Sequence, residues 1–171
     1  ARPITIAADA LSRAYGDANP VLTYTVGGRG LVNGDSLTGG LATMAGATSG
    51  VGDYAITQGS LAASSNYAVT YQGATLTVTA RPITVMADAQ NRVYGDANSA
   101  LTYTLGGRGL VNGDTLAGAL ATSATLASDA GTYAITRGSL AASDNYAVTY
   151  QGADLTVTAR PITITANALS R

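Results

Sequence analysis

Apolar and polar residues alternate along much of this chain, and the period of the alternation is two. Leu22-Thr23-Tyr24-Thr25-Val26 places Leu, Tyr and Val on one face and Thr on the other. Ile4-Thr5-Ile6, Tyr54-Ala55-Ile56-Thr57, Tyr67-Ala68-Val69-Thr70-Tyr71 and Leu76-Thr77-Val78-Thr79 follow the same rule. Thr and Val are β-branched and suit a pleated, half-buried surface. Each segment therefore predicts a strand with one face on a core and the other in water. Tyr24, Val26, Ile56, Val69, Tyr71, Leu76 and Val78 are the predicted core residues, together with their equivalents in the second half of the chain.

Turn signals separate the strands. They are Tyr15-Gly16-Asp17-Ala18-Asn19-Pro20, Gly27-Gly28-Arg29-Gly30 and Asn33-Gly34-Asp35. Asn-Gly favours a type I′ turn because both residues tolerate positive φ. Gly59 to Asn66 has room for one helical turn. Ser36 to Thr43, and its counterpart Thr115 to Thr122, is rich in Leu and Ala. The adjacent Gly39 and Gly40 would cost a helix interior about 2 kcal/mol, so a strand is expected there.

The pattern recurs. Ala1-Arg2-Pro3-Ile4-Thr5 returns at Ala80 to Thr84 and again at Ala159 to Thr163. The first copy slides onto the second without a gap, and roughly 21 paired positions differ, the mark of a tandem array. Differences concentrate between Met44 and Asp53 against Ser123 to Thr132, as expected of an exposed loop. The expected layout is one module over 1–80, a second over 81–159, and the first strand of a third over 160–171. The array is expected to continue beyond this chain.

The junction has a physical signature. Leu76, Val78 and Ala80 are even-numbered, whereas Ile83 and Val85 beyond Arg81-Pro82 are odd-numbered. One step of phase sends side chains to the opposite face. Pro82 has no N–H to give a continuous central ladder. The chain is therefore expected to leave one sheet and enter the next at the Arg-Pro, through a short, stiff link. A strand of about ten residues suggests roughly 30–40 Å per module. In the third copy, Arg160 to about Thr163 is expected to be held by the edge of the second module, with the rest projecting away.

Composition narrows the chemistry. The chain has no Cys, His, Lys, Glu, Trp or Phe, and its formal net charge is −1. Nucleic acid is not an expected partner, and no apolar run is long enough to insert in a membrane. Without His, Cys, Lys or Glu, most acid–base and nucleophilic arrangements are unavailable. No catalytic residue, cofactor-binding residue, cofactor or metal site is expected, and the protein is expected not to be an enzyme. Gly27-Gly28-Arg29-Gly30-Leu31-Val32 begins like a calcium-binding nonapeptide but has Val32 where Asp is needed, and Val111 stands there in the second copy. Asp17 with Asn19, and Asn33 with Asp35, are the places where a weak calcium site could form, but a hard cation wants several converging oxygens, and tight turns are the expected reading of both loops. Asp9, Asp17, Asp35, Asp88, Asp96 and Asp114 sit beside turns, where Asp bonds local backbone. The Arg residues occur singly, as on a solvated face.

The ordered set Tyr15-Gly16-Asp17-Ala18-Asn19-Pro20, Leu22-Thr23-Tyr24-Thr25, Gly30-Leu31-Val32-Asn33-Gly34-Asp35, Tyr54-Ala55-Ile56-Thr57-Gln58-Gly59 and Asn66-Tyr67 resembles the MBG repeat, the mainly-β-grasp module with a Tyr-Gly signature. It recurs from Tyr94 to Tyr146, with Ser99 in place of Pro20. The resemblance implies an all-β or nearly all-β fold: two β-grasp-like modules joined end to end. It further implies a stalk repeat of a large secreted or surface-bound bacterial adhesin, of the filamentous-haemagglutinin-like, two-partner-secretion kind, or of a biofilm matrix protein. Its partners would be neighbouring repeats, with polysaccharide or host glycan bound through distal regions. The alternative is a carbohydrate-binding module, for which Tyr71 and Tyr150 exposed along one surface would speak.

Overall fold

The computed structural model describes residues 1–168, and among them every regular element is a strand. The first repeat contains β1 (Arg2–Ala8), β2 (Leu11–Ala14), β3 (Tyr24–Gly28), β4 (Ala42–Thr43), β5 (Gly52–Thr57), β6 (Tyr67–Gln72) and β7 (Ala74–Thr79). The second repeats the series as β8 (Arg81–Ala87), β9 (Gln90–Val93), β10 (Tyr103–Gly107), β11 (Ala121–Thr122), β12 (Gly131–Thr136), β13 (Tyr146–Gln151) and β14 (Ala153–Thr158).

Each repeat makes two sheets. In the first, β1 lies between β3, antiparallel, and β6, parallel. The other sheet runs β2-β7-β5-β4, with β2 parallel to β7 and the remaining pairs antiparallel. The second repeat has the orders β10-β8-β13 and β11-β12-β14-β9. The core fills the space between the inner faces of the two sheets. Around Ile56, Leu76 and Ala45 gather Ala8, Leu11 and Tyr54; in the second repeat Val85 joins Ile135, Leu155 and Val157. By contact density the chain divides into two compact units. One is Ala1–Arg81 with Leu110–Asp114 and Ser143–Ala147; the other holds Pro82–Gly109, Thr115–Ala142 and Val148–Arg171.

Alternation located the buried positions well at Ile56, Leu76, Val78 and their equivalents, all almost inaccessible. Tyr24, Val26, Val69 and Tyr71 are half-buried instead. Leu105, the counterpart of Val26, is exposed. It pairs with Val85 in the same sheet. The phase change at the junction holds: Leu76, Val78, Ile83 and Val85 are all buried, and the strand path breaks at Ala80.

Two expectations need correction. Ser36 to Thr43 is not a continuous strand: only Ala42–Thr43 pairs along it, with an isolated bridge from Thr38 to Ala62. Gly39, at φ 81°, turns the chain out of the extended path. Nor does proline keep out of a central strand. Pro3 lies in β1 opposite Ala68 of β6, but on its other side the ladder with β3 begins only at Ile4. There the Pro3 carbonyl still accepts the Arg29 N–H, at 3.2 Å. The Arg29 carbonyl, for which proline has no N–H, takes the Arg2 guanidinium instead. The helical turn allowed for in Gly59 to Asn66 is absent.

The third copy of the opening segment forms no strand over its described residues 159–168, and Ile162 and Ile164 are exposed. The remainder of that expected strand, 169–171, lies outside the described residues.

Candidate functional site

The residues that gave the sequence its signature come together as structure. Gly16 has φ 78°, a conformation that costs other residues strain, so the Tyr-Gly-Asp sequence turns sharply after β2. Below the turn Arg13 is buried, with no carboxylate paired to it among the described residues. Its Nε donates to Asn19 Oδ1 at 2.7 Å, Nη1 to the Ala14 carbonyl at 3.3 Å and Nη2 to the Gly46 carbonyl at 2.5 Å. Asn19 Nδ2 in turn donates to the Ala45 carbonyl at 2.6 Å. Arg92 and Asn98 repeat the clamp on Thr125 and Ala124. The reading of the arginines as a solvated face fails at Arg13, Arg92 and Arg81, all buried. Five planar N–H donors satisfy several loop carbonyls at once, which makes the burial tolerable.

The rim of the turn is equally occupied. Asp17 pairs with Arg81 at 3.1 Å, and the same guanidinium nitrogen reaches the Tyr15 carbonyl at 3.3 Å. Arg160 does the same at the second turn, donating to the Tyr94 carbonyl at 2.8 Å and pairing with Asp96. The second and third Ala-Arg-Pro segments thus each have a chemical partner in the Tyr-Gly-Asp turn that precedes them. The equal spacing of the two motifs was the available signal. Within the first compact unit Tyr15 packs edge-on against Tyr146, with ring centroids 5.6 Å apart and planes at 82°.

The Asn33-Gly34 turn forms as expected. Both residues have positive φ, and the Asp35 N–H closes the turn on the Val32 carbonyl at 2.9 Å. Tyr67 locks it: its hydroxyl accepts the Val32 N–H at 3.1 Å and donates to Asp35 Oδ2 at 2.7 Å. Tyr146 makes the same bonds to Val111 and Asp114. Burial pushes the Tyr146 hydroxyl above its ordinary pKa, the Val111 N–H opposes this, and the Asp114 carboxylate adds to it. Asn33 and Asp35 therefore serve a turn, and Asp17 and Asn19 serve arginines. Among the described residues no group of three acidic or otherwise metal-ligating side chains converges.

Tyr71 and Tyr150, the residues on which a sugar-binding surface would depend, are half-buried. Their hydroxyls donate to the Ile56 and Ile135 carbonyls, each at 2.8 Å, which ties β6 to β5 and β13 to β12, strands of the two different sheets of each repeat. Desolvation raises both pKa values. No cavity opens among the described residues.

Residues 4–77 and 83–156 each match the MBG domain (YGX type), and the chain belongs to that family. MBG domains are non-enzymatic repeat modules found in extracellular or cell-surface proteins. Comparison with curated proteins and with solved structures gave no match.

Proposed function

We propose that these repeats are stalk segments of a secreted or surface-bound bacterial adhesin, or of a biofilm matrix protein, which space a distal binding region from the cell. The observation that carries this reading is how the signature residues are used. Tyr15, Asp17, Asn19, Asp35 and Tyr67 hold turns, loops and arginines in place. A module whose most distinctive residues maintain its own architecture suits a role in which length and integrity are the output. The large polymer to be bound, polysaccharide or host glycan, would then be the concern of distal regions. A carbohydrate-binding role for the repeat itself is less well supported, because Tyr71 and Tyr150 pack with their hydroxyls already bonded to backbone.

The test has two arms. The 171-residue chain is applied to glycan arrays and to immobilised exopolysaccharide, and no saturable binding is expected. In the full protein on cells, removing whole repeats should weaken attachment while the isolated binding region keeps its affinity. Saturable glycan binding by the chain that Tyr71→Ala or Tyr150→Ala abolishes would overturn the stalk reading.

A further inference from the structure

The two Tyr-Gly-Asp turns have the same sequence and different surroundings. Tyr15 is 5% exposed and Tyr94 is 43% exposed. The side chain of Arg81 is 11% exposed where that of Arg160 is 51%. What covers the first turn is visible inside the first compact unit. Tyr146 stands edge-on to Tyr15, a Cβ on Gly16 would run into the Val111 side chain, and Asn145 Oδ1 accepts the Val51 N–H at 2.9 Å. The covering residues Val111, Asn145 and Tyr146 have counterparts in Val32, Asn66 and Tyr67 of the first repeat. Val111 and Asn145 are half-buried, while Val32 and Asn66 are exposed. The second repeat therefore carries the uncovered form of a surface, and the first repeat carries the uncovered form of what fits it.

We propose that the Tyr94-Gly95-Asp96 turn is a docking surface for the Val32–Tyr67 end of another repeat of this type, and that in solution a second copy of the chain occupies it. Tyr94 would take the edge of Tyr67, Gly95 would lie under Val32, and the exposed backbone at Ala130, the counterpart of Val51, would meet Asn66. Glycine is required at position 95 for its φ of 86°, and its outer side meets only the Arg160 guanidinium. Arg160 holds the place that Arg81 holds at the first turn. In the docked pair Arg2 of the incoming copy takes it over, and the exposed 161–168 segment swings away. The two surfaces differ, so the contact is heterologous. The inference concerns how repeats recognise one another and holds whether or not the array acts as a stalk.

The experiment mixes two variants so that only one contact can form. Isotope-labelled Val32→Asp chain keeps the turn and loses the covering end; unlabelled Tyr94→Ala chain keeps the covering end and loses the turn. Both changed side chains are exposed, and amide spectra verify that the folds persist; Asn66→Arg replaces Val32→Asp if that variant unfolds. The mixture is taken to about 1 mM, the effective concentration a short covalent link imposes. Shift changes confined to Tyr94–Asp96, Ala130 and Arg160 are expected, and labelled Tyr94→Ala mixed with unlabelled Tyr94→Ala should give none there. Unchanged spectra at that concentration, or changes elsewhere, overturn the proposal. Glycan binding by the chain would defeat the stalk reading and leave this titration untouched.

Discussion

Gly39 and Gly40 are neighbours with opposite tolerances. A Cβ on Gly39 would strike the Ser60 carbonyl, and φ is 81°. A Cβ on Gly40 would meet nothing, and the second repeat carries Ala119 there. Gly39→Ala should destabilise by at least about 2 kcal/mol through strain and displaced backbone. Gly40→Ala should change stability little, or add up to about 1 kcal/mol by restricting the unfolded chain. Denaturant midpoints of the two variants check this, and equal losses would contradict it. Tyr71 and Tyr150 give a second residue-scale expectation. Desolvation raises their pKa values, so the folded state favours the protonated phenol. The stability this represents is fully present below the unfolded value of about 10. It is lost as pH rises through the folded values. Melting temperature should therefore fall above about pH 10, and less steeply in Tyr71→Phe/Tyr150→Phe. At neutral pH each Phe should cost about 1 kcal/mol for the lost hydrogen bond to Ile56 or Ile135. An unchanged alkaline slope in the double variant would count against the assignment. Sequence alone placed these tyrosines in phase with the core, but not the carbonyl that each hydroxyl meets, because that partner lies on a strand of the other sheet and is set by how the two sheets pack.

At the level of elements, legibility followed side-chain chemistry. β5, β6 and β7 were readable because Ile56 in β5, Tyr67, Val69 and Tyr71 in β6, and Leu76 and Val78 in β7 alternate with Ala and Thr. β2 was not, since Leu11-Ser12-Arg13-Ala14 puts an arginine at an inward position, and its counterpart Gln90-Asn91-Arg92-Val93 is more polar still. What stabilises β2 lies outside local pattern: a parallel ladder with β7 and carbonyls supplied by a distant loop. The same clamp explains why that loop varies. Arg13 and Asn19 grip backbone oxygens of Gly46 and Ala45, and Arg92 and Asn98 grip those of Thr125 and Ala124, so the side chains there can differ. Arg13→Ala should cost about 2–3 kcal/mol, the worth of charged hydrogen bonds plus the desolvation of abandoned acceptors. In a double-mutant cycle with Asn19→Ala, the coupling should be about 1 kcal/mol or more, because the two side chains share one network. Additive losses would show that Arg13 and Asn19 act separately.

For the whole molecule, the question is whether an ion helps to hold it together, as ions do in many extended extracellular proteins. The turns best suited to one have already committed their oxygens. Asp17 and Asp96 face Arg81 and Arg160, Asp35 and Asp114 accept tyrosine hydroxyls, and Asn19 and Asn98 accept buried arginines. Calcium takes six to eight oxygens and competes poorly with a guanidinium already seated on the carboxylate. Val32 and Val111 also stand where a nonapeptide calcium loop would need carboxylates. Binding to the native state alone would add about 2.7 kcal/mol at a calcium concentration one hundred times the dissociation constant. For a chain of this size that corresponds to a rise in melting temperature of at least roughly 5 °C. The expected result is therefore sharp: at neutral pH, millimolar calcium and excess chelator leave the same melting curve. A calcium-dependent rise of several degrees, abolished by Asp35→Asn/Asp114→Asn, would show that these turns bind the ion and that the tyrosine bonds give way to it.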